Sequence, residues 1–189
     1  MKRSYLLFCI GALFLAYGCS KTKDVANIEK DIPYHMETPP VTLFDSTTIP
    51  PSIFALGPIT YTMPVFPIPT NSKALIVQYN TSANKLNSVK LTEMSMSLLH
   101  PDTGSFNFLS SVYVSISATG LPLVRVAYNN AVPRNTRTVT LIDTTGDLKN
   151  YFLQDTINVY ITGSFIGFPP PNAVIAVNCS FHMSANPLN

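Results

Sequence analysis

The sequence predicts an all-β fold, a two-sheet antiparallel β-sandwich carrying one or two short helical turns. Three observations point there. Apolar residues alternate with polar ones, as in Val112-Tyr113-Val114-Ser115-Ile116-Ser117-Ala118, which is the period of a half-buried strand. Such runs recur through the second half of the chain at short spacing, separated by Gly, Pro and Asn turn chemistry. Helical spacing is confined to two brief stretches.

More than half of the 16 prolines fall between positions 33 and 69. Proline cannot donate to a ladder, so this segment is expected to form short strands broken by turns, around residues 41–44 and 59–66. Ile59, Tyr61 and Met63 alternate there with Thr60 and Thr62. Asn71-Ser72 then offers a cap to residues 73–79, where Leu75, Ile76 and Tyr79 share a helical face. The β-branched pair Ile76-Val77 favours a strand instead, and the expectation is a two-turn helix.

From Leu86 the pattern is strand after strand. Val89 and Leu91 hold one register, Met94, Met96 and Leu98 the other, and the phase change near Thr92-Glu93 marks a bulge. His100-Pro101-Asp102-Thr103-Gly104 is a turn, followed by Phe106 and Phe108. Strands are then expected over 112–118, through Val124, Val126 and Tyr128, and over 137–143. Leu148, Tyr151 and Phe152 fit one helical turn, capped by Thr145 or Asp147, that would plug an open end of the sandwich. Residues 157–162 and 173–183 are expected as the last strand pair.

The front of the chain has a different character. Lys2-Arg3 precedes an apolar run from Leu6 to Ala16, which is the layout of a secretory signal. The run is too short for a bilayer core that needs about 20 apolar residues. Leu15-Ala16-Tyr17-Gly18-Cys19 resembles the lipobox cut by the bacterial lipoprotein signal peptidase. The resemblance implies cleavage before Cys19 and acylation of that cysteine, with two or three acyl chains sufficing for stable anchoring. A buried helix is one alternative, and ordinary signal peptidase cleavage at the same bond, giving a soluble secreted protein, is another. The latter leaves the cysteine without a role. The expected organisation is a signal peptide over 1–18, a polar tether over 19–33 and a single β-sandwich domain over 34–189.

Lys2 and Arg3 leave with the signal, so ten Lys/Arg remain of 12, against ten Asp/Glu. A neutral chain without basic clusters gives no electrostatic case for nucleic acid. Cys9 is discarded with the signal and Cys19 is the lipid site, so Cys179 has no partner for a disulfide. It shares the register of Ile175, Val177 and Phe181, which suits a buried, inert thiol better than a nucleophile.

Asn80-Thr81-Ser82, Phe106-Asn107-Phe108-Leu109, Ile116-Ser117-Ala118-Thr119-Gly120-Leu121-Pro122 and Asp147-Leu148-Lys149-Asn150-Tyr151 make the mature chain, above all residues 86–183, similar to a group of Bacteroidetes-type lipoproteins of unassigned function. That resemblance implies a β-sandwich anchored at the outer membrane, on its periplasmic or its surface side. It implies no activity.

Catalysis needs clustered, tunable groups, and few are available. His35, His100 and His182 have no metal-ligand spacing, and His182 faces opposite the Cys179 register. Glu93 beside the bulge, with Asp102 or Asp143, is the carboxylate pairing to test for a hydrolase, which needs two carboxyl groups about 5–10 Å apart. No serine sits in a Gly-x-Ser-x-Gly elbow. No cofactor, metal or catalytic residue is expected.

Binding has more to offer. Phe165-Ile166-Gly167-Phe168-Pro169-Pro170-Pro171-Asn172 joins two strands, and Phe165 and Phe168 either form an exposed apolar binding loop or fold back as a lid over the sandwich end. Tyr113 and Tyr160 occupy polar-facing strand positions and form a candidate shallow platform. Asp45-Ser46-Thr47, Asp143-Thr144-Thr145 and Asp155-Thr156-Ile157 resemble the O-glycosylation acceptor of Bacteroidetes-type exported proteins, with Ser46, Thr144 and Thr156 as the modified residues. The functional expectation is therefore a lipid-anchored, non-catalytic envelope module that binds a glycan or protein partner. A carbohydrate-active hydrolase or glycan-binding accessory protein is one alternative, and a structural or fimbria-associated subunit is another.

Overall fold

The computed structural model describes residues 30–44, 50–144 and 146–186. The signal peptide, Cys19, Ser46 and most of the expected tether lie outside the described residues. No helix among the described residues is long and apolar enough to cross a membrane.

The described residues form an all-β, antiparallel sandwich of ten strands with two short α-helices. The strands are β1 (Lys30–Glu37), β2 (Val41–Thr42), β3 (Ile59–Thr62), β4 (Phe66–Pro69), β5 (Leu86–His100), β6 (Leu109–Ala118), β7 (Leu121–Asn129), β8 (Thr138–Asp143), β9 (Thr156–Phe165) and β10 (Val174–Ala185). The helices are α1 (Ser72–Gln78) and α2 (Lys149–Phe152). Sheet A runs β1-β10-β5-β8, with β2 also on β10. Sheet B continues β8-β7-β6-β9, and β9 carries both β3 and β4. The two layers are joined by β8, whose residues 138–141 pair with β5 and whose residues 142–143 pair with β7. On the opposite side β1 is one free edge and β3 and β4, in line along β9, are the other; β1 and β4 are bridged where the Tyr34 hydroxyl donates to the Thr70 carbonyl at 2.6 Å.

Alternation explains most of these elements. In β5 the inward residues are Leu86, Val89, Leu91, Met94, Met96 and Leu98, and the register against β10 shifts between Ser180 and Phe181. That shift leaves Thr92 as the extra residue of the bulge, with its hydroxyl donating to the Ser180 carbonyl at 3.0 Å. The bulge absorbs a one-residue change of phase, so that Leu91 and Met94 both face the core.

Four expectations change. Residues 30–33 belong to β1 and not to a tether, because Ile32, Tyr34 and Met36 point towards the core while Asp31, Pro33, His35 and Glu37 point out. Residues 59–66 form two strands: the Met63 amide still donates to the Ile161 carbonyl of β9 at 2.9 Å, and pairing lapses at Pro64-Val65 before it resumes at Phe66. Phe106–Phe108 is a 3-10 turn, with both rings buried. Finally, β9 and β10 do not pair with each other: β9 lies in sheet B and β10 in sheet A. The connection 166–172 therefore crosses from one layer to the other at the sandwich end.

Two devices close the core. At one end α2 buries Tyr151 and Phe152 beside Leu148, and Asp147 Oδ1 accepts from the amides of Val89 at 2.9 Å and Lys149 at 3.0 Å. At the other end Phe165 is fully buried, its ring 4.7 Å from Phe44 and 5.9 Å from Phe108. Gly163 makes room for it, since a Cβ there would lie 2.7 Å from Leu109 Cδ1 and 2.9 Å from the Phe165 ring.

Among the described residues the two sheets pack closely on one another. A void of about 10 Å³ between Met36, Met94, Val114, Cys179 and Phe181 barely reaches the room one water needs. Cys179 borders it, and burial pushes the thiol up from 9.0 to about 12. A raised pKa means that the fold favours the neutral thiol. This contribution is present below about pH 9 and is lost as the pH rises towards 12. In a protein spanning 20–189, iodoacetamide at pH 8 should leave native Cys179 unlabelled and label it once urea unfolds the chain. Rapid labelling of the native protein would contradict this packing.

Candidate functional site

With the interior filled, chemistry must be sought on the two outer faces, the strand edges and the ends. The outer face of sheet A carries charges of both signs: Asp31, Glu37, Lys90 and Glu93, together with His35 and His182. His182 Nε2 lies 3.0 Å from Asp31 Oδ1, and His35 Nδ1 lies 3.3 Å from Ser180 Oγ. His35, Ser180 and His182 border a shallow groove of about 340 Å³ with Pro33 and Thr92. His100 pairs with Val174, six residues along β10 from Ser180, which is roughly 20 Å in strand geometry. Among the described residues no three His, Cys, Asp or Glu side chains come together in a metal-binding group.

The carboxylate pairing does not converge. Glu93 is exposed on the outer face of sheet A, opposite Ser180. Asp143 takes the alternate face of β8, in phase with Val139 and Leu141. Asp102 is in the turn beyond β5, 3.7 Å from Arg137, which also donates to the Leu98 carbonyl at 2.8 Å; Leu98 is five residues, roughly 17 Å, along the strand from Glu93.

The β1 and β4 edges are guarded. Pro33 interrupts the free edge of β1, and Pro67 and Pro69 lie in β4, with Pro64 just before it. Charged Asp31 and Glu37 flank the first of these. Prolines and charges on edges discourage strand addition from another chain.

At the end of the sandwich, Phe165 belongs to the core and presents no surface, so it cannot serve as an exposed binding residue. Its position at the end of β9 puts it in the inward phase of Ile157, Val159 and Ile161. Phe168 is half-buried, packed edge-on against Phe54 at 4.9 Å and Phe44 at 6.3 Å. It seals the aromatic column from above. Leu56, 95% exposed, is the apolar residue left at this tip.

The outer face of sheet B is different in kind. Tyr113 and Tyr160 alternate with buried Val112, Val114, Val159 and Ile161, so both point outward. Cross-strand register arranges the face in rows. One row reads Ile142, Tyr128, Tyr113, Thr162, Thr62 across β8, β7, β6, β9 and β3. The next reads Arg125, Ser115, Tyr160, and the one after that includes Ser117 and Asn158. Ser115 and Thr162 are only 8% and 6% exposed although they face outward, because the larger side chains around them wall them in. They form the floor of a shallow platform. The Arg125 guanidinium carbon sits over the Tyr113 ring, 4.6 Å from its centroid, and the Tyr160 hydroxyl lies 3.4 Å from Ser117 Oγ. Thr62 and Thr162 hydroxyls are 2.9 Å apart. Exposed Leu123 and Ile142 add apolar surface at the rim.

Alternation alone placed Tyr113 and Tyr160 on this face. Tyr128 and Arg125 were missed. A bulge between Arg125 and Ala127 reverses the phase of β7, so that Tyr128 points outward beside Tyr113 instead of inward with Val126. The signal available in the sequence was the consecutive pair Val126-Ala127, both of which are buried.

Of the glycosylation candidates, Thr144 is exposed and its hydroxyl donates to the Arg125 carbonyl at 2.6 Å. Thr156 is exposed at the start of β9, opposite Pro69.

No family model matches the chain, and no curated protein matches it. Among solved structures it is similar to a chain in the cryo-EM structure of a semi-empty virus-like particle of the Macrobrachium rosenbergii (giant freshwater prawn) nodavirus. The identity is 8% and the TM-score 0.33, over 92% of this chain and 91% of that one. A likeness that weak carries no weight for fold or function.

Proposed function

We propose that this chain is a lipid-anchored, non-catalytic binding module of the bacterial cell envelope, held at the outer membrane through Cys19, and that it engages a glycan on the outer face of sheet B. The anchor rests on the sequence alone: the basic pair, the short apolar run and the lipobox-like Leu15-Ala16-Tyr17-Gly18-Cys19. The observation that carries the binding reading is the platform itself. Tyr113, Tyr128 and Tyr160 offer ring faces with polar tips, between floors and rims of Ser, Thr and Asn that match a sugar's hydroxyl groups. The hydrolase reading has less behind it, because Glu93 and Asp143 take opposite faces and Asp102 is remote. The fimbria-associated reading is weakened by the proline-guarded edges.

A glycan array probed with the protein from residue 20 onward tests the proposal. Tyr113→Ala and Tyr160→Ala together should weaken binding to any array ligand by at least tenfold, since an interface anchor is commonly worth more than 1 kcal/mol. Both rings are half-exposed, so the melting temperature should hardly move. Undiminished binding by the double variant would refute the platform.

A further inference from the structure

Resting on that reading of the platform, we infer that its ligand is an acidic glycan, with a uronate carboxylate seated on Arg125. Three arginines lie among the described residues, and two of them have their donors engaged. Arg134 donates to the Asn107 carbonyl, and Arg137 donates to the carbonyls of Pro101 at 2.7 Å and Leu98 at 2.8 Å, holding the 100–104 turn. Arg125 differs. Among the described residues it has no ion pair, and its guanidinium meets no carbonyl or carboxylate; its contact is the face of Tyr113. Stacking on an aromatic ring fixes the guanidinium without consuming its N–H groups, so five planar donors are held ready at the platform's edge.

The charge around it points the same way. The outward residues of β3, β4, β6, β7, β8 and β9 on this face are Ser, Thr, Asn, Tyr, Pro, Leu and Ile, with Arg125 as the single charge among those described. The outer face of sheet A, by contrast, carries Lys90 among Asp31, Glu37 and Glu93. A lone, immobilised cation on an otherwise neutral face attracts an anion, and a carboxylate matches the guanidinium fork with two parallel hydrogen bonds. Arg125 occupies one end of the row that continues through Ser115 to Tyr160. A uronate bound there by its carboxylate would lie over the Ser115 floor, with the next sugar directed to Tyr160 and Ser117. An acidic peptide suits the site less well, since peptides recognised by sheets add to free edges, and this surface is a face.

Calorimetric titration of the protein from residue 20 onward with trigalacturonate, its methyl ester and neutral galactotriose separates the possibilities. Trigalacturonate should bind at least tenfold more tightly than its ester, and raising the salt from 50 to 200 mM should reduce that preference. Arg125→Gln should abolish the preference while leaving weak binding of both forms, and Arg125→Lys should retain only part of it. Equal affinity for acid and ester would overturn the inference while leaving a neutral-glycan platform standing. Failure of all three sugars overturns it too; array binding that still depends on Tyr113 and Tyr160 would then preserve the platform, and an empty array would remove both. Arg125-dependent binding of oligoglutamate without binding of trigalacturonate would assign the site to acidic peptides and refute the glycan. A sulfated glycan bound in place of trigalacturonate would refute the uronate.

Discussion

Phe165→Ala is expected to destabilise the protein by about 3–5 kcal/mol, the range for truncating a fully buried phenylalanine. Nothing around the ring can collapse into the space cheaply. Phe44, Tyr61 and Phe108 each press an aromatic face or edge against it, and Gly163 lacks the side chain that would fill from below. For a domain of this size the loss corresponds to a fall of roughly 10 °C in Tm. Phe168→Ala should cost less, about 1–2 kcal/mol, because its ring is half-exposed and rests on the column instead of standing within it. Urea melts of the two variants should keep the wild-type m-value and shift the midpoint in that order. Equal effects, or a larger loss at Phe168, would mean that the 165–172 segment packs differently.

Cys19→Ala is expected to abolish acylation, so that the protein is no longer held at the outer membrane by its lipid. The proposed anchor consists of acyl chains, each contributing about 0.8 kcal/mol per buried methylene, and no helix among the described residues offers a replacement span. Fractionation should find the variant uncleaved or soluble, while intact-mass analysis of the wild type should find acyl mass on a chain starting at Cys19. A wild-type chain with an unmodified Cys19 would disprove the anchor.

Much of the fold could be read because burial imposes a period of two. The Leu91-to-Met94 phase change located the Thr92 bulge, and Leu148, Tyr151 and Phe152 located α2. What alternation does not encode is partnership. Nothing in the residues of β9 and β10 says that they lie in different sheets, because each has an apolar face that either layer would accept. β1 was misread because Lys30, Asp31 and Pro33 look like a tether, although Ile32, Tyr34 and Met36 already carried the strand period.

The platform shows the same division. Single-strand patterning turned Tyr113 and Tyr160 outward. Joining them to Arg125 and Tyr128 required the register of three neighbouring strands and one bulge, a tertiary property.

The most direct test of a binding face on sheet B is backbone amide chemical-shift mapping of the protein from residue 20 onward, titrated with the tightest glycan from the array. Shifts should concentrate at residues 111–117, 123–128 and 158–164, with smaller changes at Thr60, Thr62 and Ile142. Shifts centred instead on the 53–56 and 166–172 tip, or on the His35–His182 groove of sheet A, would contradict it.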